Sequence, residues 1–98
     1  MANPELIESW RVTAGHLQTA LSALSAECRH DQVVALQEYA HFLERNELEL
    51  AYDALEAAIV ACADAPVAAM KSLLLAAKNM GLEQKAHRMA KVIGQRHL

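Results

Sequence analysis

The chain has 98 residues, 54% of them hydrophobic but only 4% aromatic, and a formal net charge of −3. A chain of this length folds as one domain around one modest core, and residues 1–98 are read as a single helical-bundle domain. No apolar run reaches the roughly 18–20 residues of a membrane span. Met1-Ala2-Asn3-Pro4-Glu5 lacks the basic start and apolar stretch of a secretory signal. A cytoplasmic protein without membrane contact is therefore expected; Cys28 and Cys62 have no CxxC spacing and in that compartment are expected to be reduced, small apolar residues.

Alanine, leucine and other strong helix formers dominate, and only three glycines and two prolines interrupt them. The expected fold is all-α, a compact antiparallel bundle of four or five helices. Asn3-Pro4 starts the first, because Asn caps and Pro is pre-set for the first turn. Ile7, Trp10, Ala14, Leu17, Leu21, Leu24 and Cys28 then alternate by 3 and 4, which predicts one seam down a long helix over 4–28. Arg29-His30-Asp31 reads as a turn, with Asp31 capping the next helix. That second helix carries Val33, Leu36, Ala40 and Leu43 inward, flanked by Tyr39 and Phe42, and ends at Asn46, a residue that tolerates the left-handed conformation. The third places Leu48, Ala51, Leu55, Ala58 and Cys62 inward and stops at Asp64-Ala65-Pro66. The fourth runs through Val67, Met70, Leu74 and Ala77 to Gly81. The fifth uses Leu82, Ala86, Met89 and Ile93 and frays near Gly94. Turns this short make neighbouring helices antiparallel. No repeat at a fixed period is visible.

Charge is segregated along the chain. Residues 31–64 hold eight acids (Asp31, Glu38, Glu44, Glu47, Glu49, Asp53, Glu56, Asp64) against Arg45, a balance of −7. Residues 65–98 hold six bases (Lys71, Lys78, Lys85, Arg88, Lys91, Arg96) against Glu83, a balance of +5. At 100° per residue Glu49, Asp53 and Glu56 share one face of the third helix, which Val60 and Asp64 extend and Tyr52 borders. Pointing away from the Leu48/Ala51/Leu55 stripe, this face is expected to be exposed. The simplest account of it is the solvated side of an amphipathic helix. Together with Glu38 on the preceding helix it also suits a basic partner, the acids steering and Tyr52 and Val60 supplying desolvated contacts.

Other constellations are weaker. Glu27–His30 and Glu38–His41 have the i, i+3 spacing of helical metal ligands, but the apolar stripes carry no inward Glu partners, so no metal or other cofactor is expected. His16, His87 and His97 are scattered, no nucleophile has a base and an acid in a recognisable pattern, and no Gly-rich phosphate loop occurs; an enzyme is not expected. Ala77 and Gly81 before a basic helix fit a helix-turn-helix, but the later position that should be buried is His87, and the acidic remainder opposes DNA.

His41-Phe42-Leu43-Glu44-Arg45-Asn46-Glu47-Leu48-Glu49-Leu50-Ala51-Tyr52-Asp53-Ala54-Leu55 resembles a group of small bacterial immunity proteins, including Maf-type ones. These guard cells against their own contact-dependent or polymorphic toxins. The shared pattern is F-(L/I)-x-x-N-E-x-x-L-A-x-(D/E)-x-L, and Ala76-Ala77-Lys78-Asn79-Met80-Gly81-Leu82 is similar to the family's second, weaker signature. Most of the pattern has a packing explanation, with Phe42 and Leu43 expected in the core, Asn46 in the turn, Glu47 at a helix N-terminus where the dipole favours it, and Leu50, Ala51 and Leu55 packed inward. The resemblance implies a helical bundle that binds and neutralises a cognate toxin domain, often a nuclease, whose basic substrate cleft an acidic surface would complement. The residues expected at that contact are Glu38, Glu49, Tyr52, Asp53, Glu56 and Val60. Two alternatives stand beside it. One is a nucleic-acid-binding regulator using Arg88 and Lys91. The other is a self-associating scaffold, possible as a homodimer, in which the acidic segment of one copy meets the basic segment of another.

Overall fold

Helix starts and stops follow the capping chemistry of the chain. A computed structural model of the protein describes residues 3–96. Its elements are α1 (Pro4–Ser22), α2 (Ala26–Asp31), α3 (Val33–Glu44), α4 (Leu48–Ala61), α5 (Val67–Asn79) and α6 (Glu83–Arg96), with no strand among the described residues. The all-α bundle is as expected, with one helix more than the sequence pattern resolves.

α1 opens with the Asn3 side chain accepting from the Leu6 N–H at 2.7 Å. The predicted helix 4–28 breaks at Ala23-Leu24 because local polar groups satisfy both new ends. Ser25 Oγ accepts from the Cys28 N–H at 3.0 Å and caps α2. The Arg29 guanidinium donates back to the Leu21 and Ser22 carbonyls at 3.1 and 3.3 Å, closing the last turn of α1. The apolar alternation runs through this break because Leu24 and Cys28 are both buried. Asp31 is the last residue of α2 rather than the cap of α3, which has no side-chain cap. At the far end α6 continues past Gly94 to Arg96.

The α3–α4 and α5–α6 turns are one motif used twice. Asn46 (φ 57°) and Gly81 (φ 74°) both sit in the left-handed region that ends a helix. In each turn the next N–H reaches back five residues, Glu47 to the Phe42 carbonyl at 2.9 Å and Leu82 to the Ala77 carbonyl at 3.0 Å. Two hairpins follow, α3 on α4 and α5 on α6, with α1 lying along α5 and α4 touching α1, α3 and α5. Asn79, at the end of α5, donates to the Ser9 carbonyl and Thr13 Oγ1 at 3.0 and 2.7 Å, so α1 runs antiparallel to α5. The body measures 43 × 26 × 18 Å.

Tyr52, Leu55 and Ile59 of α4, Leu17 of α1, Met70 and Leu73 of α5 and Met89 of α6 form a fully buried centre. Each such side chain contributes about 1.5–3 kcal/mol by leaving water. Two predicted stripes are rotated from their expected positions. In α1 the buried line is Thr13, Leu17 and Ala20, while Ile7 is 52% exposed and Trp10 only half-buried, because the start of α1 extends past the α5–α6 turn. In α3 Tyr39 is the buried residue, and Val33 and Ala40 lie outside, because α3 packs chiefly on α4. Leu50 of α4, expected inward, is instead 46% exposed.

The cysteines depart most from expectation. Cys28 of α2 and Cys62 at the end of α4 form a disulfide with a Cα–Cα distance of 5.8 Å. The α3–α4 hairpin folds back on itself and returns Cys62 to Cys28, a proximity that a separation of 34 residues does not disclose.

Candidate partner-binding site on α4 and α6

α4 and α6 run parallel, and long side chains span the gap between them. Lys85 Nζ donates to Glu49 at 2.8 Å and to Asp53 at 2.6 Å. Arg88 donates to Glu56 at 2.7 Å. At the far end Arg96 donates to the Cys62, Ala63 and Ala65 carbonyls at 3.0–3.1 Å, closing the C-terminus of α4, where the helix dipole favours a cation. Three bases of the +5 segment are therefore spent on the −7 segment of the same chain. Desolvation works against the Lys85 charge, but hydrogen bonds and attraction from Asp53 and Glu49 outweigh it and raise its pKa above the ordinary lysine value. The Glu56 hydrogen bond, followed by its charge, likewise raises Arg88.

This corrects two expectations. The Glu49/Asp53/Glu56 face is not a free acidic surface, because helical periodicity within α4 does not show that α6 lies beside it. Tyr52 is not at the boundary but fully buried, and its hydroxyl donates to Glu56 at 3.0 Å. Burial, reinforced by the Glu56 charge, drives the Tyr52 pKa upward. Tyr52 and Arg88 thus hold the Glu56 carboxylate from two sides. Glu38 stands on α3, exposed and without an ion-pair partner among the described residues.

Val60 matches its expectation of exposure, at 53%. It lines a hollow of about 340 Å³ between α4 and α6, with Ala57, Ala61 and Val92 as apolar walls and the Glu56–Arg88 pair at one edge. Small residues on α4 leave this space open where α6 is held off by its own long side chains. Of the six expected contact residues, Glu56 and Val60 meet here, Glu49 and Asp53 continue the same seam, and Glu38 and Tyr52 do not take part.

A second hollow, of about 430 Å³, lies at the other end of the molecule, where no motif or helical stripe marks it in advance. Leu6, Trp10 and Thr13 of α1 line it, together with Asn46, Leu48 and Glu49 of the α3–α4 turn and Asn79 and Met80 of the α5–α6 turn. Its polar side chains serve the fold, Asn79 bridging to Thr13 and Ser9. Among the described residues, no group of three or more His, Cys, Asp or Glu is placed to hold a metal ion, and no helix is long and apolar enough to cross a membrane. His87, which a helix-turn-helix would bury, is exposed, and Arg88 is engaged with Glu56. No family model, no curated protein and no solved structure matches this chain.

Proposed function

We propose that this protein acts by binding another protein, and that it is an immunity protein which neutralises a cognate toxin domain in the cytoplasm. The observation that carries the binding reading is the α4–α6 seam, an apolar hollow around Val60 with the Glu56–Arg88 ion pair at one edge. Such a patch suits a partner that inserts an apolar side chain and exchanges charges at the rim. The toxin as partner, often a nuclease, rests on the resemblance of residues 41–55 and 76–82 to immunity proteins.

The engaged acids change the expected mode of contact. A basic partner gains Glu49, Asp53 or Glu56 only by displacing Lys85 or Arg88, so the acids tune which partner fits more than they add net affinity. The disulfide stands against the cytoplasmic part of the proposal, since such bridges persist mainly in oxidising compartments. Alkylating the protein at cell lysis and weighing it decides between bridge and thiols. The function itself is tested by co-expressing the chain with the C-terminal domain of a toxin encoded beside it. Survival, with a one-to-one complex on purification, is the expected result; death of the cells with the protein present and folded would refute it.

A further inference from the structure

α2 is the least supported element of the fold. Its six residues are fewer than the roughly 12–15 that a helix needs to persist by itself. Cys28 is its one buried residue, and its only substantial helix contact among the described residues is with α3, the next element of the chain. The bundle is held by other pairings, α1 on α5, α3 on α4 and α5 on α6. Two ties join α2 to the end of α4. One is the Cys28–Cys62 bridge, and the other is Ser25 Oγ, which donates to Asp64 at 3.3 Å in exposed surroundings. A long, exposed hydrogen bond adds little net stability, because water offers the same partners.

We propose that the Cys28–Cys62 bridge is a redox-operated latch. Closed, it holds α2 against the end of α4; reduced, it lets residues 25–32 come away while α1 and the two hairpins stay folded. Leu24 and Leu36 bracket the segment, and both pack in or against the core, so its two ends stay anchored. The end of α4 closes without the bridge, since the Cys62 N–H donates to the Ile59 carbonyl at 3.2 Å and the Cys62 carbonyl accepts from Arg96 at 3.1 Å. Glu27 and Asp31 of α2 line one hollow with Asp64, and none of the three has an ion-pair partner among the described residues. Their like charges push the two sides apart once the covalent tie is gone.

Both cysteines also line that hollow, of about 380 Å³, which gives a thiolate a path to sulfurs that are otherwise buried. The reductant is a dithiol. One of its thiolates attacks a bridge sulfur, the S–S bond breaks, and the other cysteine leaves as a thiolate and takes up a proton. The second thiol of the reductant then displaces the cysteine held in the mixed disulfide. Two electrons and two protons pass to the bridge, leaving Cys28 and Cys62 as thiols and the reductant as a disulfide. The latch stands apart from the toxin reading, although Ala61 walls both this hollow and the one around Val60.

The test is amide exchange of the full chain, read by mass spectrometry on the oxidised protein and on protein reduced with dithiothreitol. After reduction the amides of residues 28–32 should exchange at least about tenfold faster than before, close to the rate of an unfolded chain, while those of α4 and α5 stay protected by at least about a hundredfold. Reoxidation should restore the protection of α2. Trypsin should cut after Arg29 at least about tenfold faster in the reduced protein, since a helix must open locally to be cleaved. A variant carrying both Cys28→Ala and Cys62→Ala should show the reduced pattern without any reductant. Equal protection of α2 before and after reduction overturns the proposal, because other contacts then hold the helix. So does a reduced protein, or a double variant, in which α2 and α4 exchange at one common rate, because the bridge then acts on the whole fold and not on α2.

Discussion

Lys85 of α6 donates to Asp53 of α4 at 2.6 Å, and this bond ties the most basic stretch of the chain to the most acidic one. Charge that is segregated along the sequence is thereby paired in space. The pair is partly exposed, so its worth is that of surface ion pairs shared between two carboxylates. Lys85→Gln should lower stability by about 1 kcal/mol. Lys85→Glu should cost more by facing Glu49 and Asp53 with a like charge, and its excess should shrink as salt is added. Urea unfolding at two salt concentrations measures both.

Two buried tyrosines should respond oppositely to loss of their hydroxyls. Tyr39 Oη has no hydrogen-bond partner, whereas Tyr52 Oη donates to Glu56. Tyr39→Phe should therefore leave stability unchanged or raise it, and Tyr52→Phe should lower it by about 1 kcal/mol. Burial pushes the Tyr39 pKa up to about 12. Its folded value lies above the unfolded value near 10, so the folded state keeps its proton longer. That contribution is complete below about pH 10 and is lost as pH rises through 12. Alkaline unfolding curves of Tyr39→Phe should be flatter over this window than those of wild type.

The Cys28–Cys62 bridge closes a loop of 34 residues. Its chain-entropy effect on the unfolded state is about 3–4 kcal/mol. Reduction, or Cys62→Ala, should lower the unfolding free energy by up to that amount. Thermal melts with and without a thiol reductant give the value, and an unchanged Tm would mean that the unfolded chain does not gain the freedom assumed.

The Thr13 hydroxyl, almost wholly buried, accepts from the Asn79 amide at 2.7 Å and fixes α1 on the end of α5. Thr13→Val should cost about 1–2 kcal/mol and leave the Asn79 amide without that acceptor. Amide exchange should then quicken in the first half of α1 before it does in α4.

Much of the fold was legible because capping and turn residues act locally. Asn3-Pro4, Asn46, Pro66 and Gly81 mark helix ends from the sequence alone, and the inward stripe of α4 holds from Leu48 to Cys62. The errors lie where distant segments decide. The 3-and-4 alternation of α1 passes unbroken through a helix end that Ser25 and Arg29 create. Trp10 follows the alternation but lies where α1 has little to pack against. Tyr52 reads as a boundary residue because helical periodicity within α4 does not show which elements pack on that helix, and in the structure it is fully buried. The same omission made Glu49, Asp53 and Glu56 look free. Val60 is legible as exposed because only the periodicity of its own helix is needed to place it.

Val60 and Tyr52 therefore provide the sharpest separation between binding and folding. Val60 is exposed and makes one wall of the α4–α6 hollow, so Val60→Glu should alter stability by no more than about 0.5 kcal/mol. In the proposed complex the same change places a charge where an apolar side chain of the partner is desolvated, and affinity should fall at least about tenfold, mainly through faster dissociation. Tyr52→Ala should behave in the reverse way. It removes a fully buried ring and leaves Glu56 without one donor, at a cost of about 3–5 kcal/mol, so any loss of protection follows from unfolding. Melting temperature and partner dissociation rate, measured on both variants, separate the two effects. If Val60→Glu melts and binds as wild type does, the hollow is not the contact surface. The search then moves to the exposed acids of α2 and α3, where Glu38 is already free.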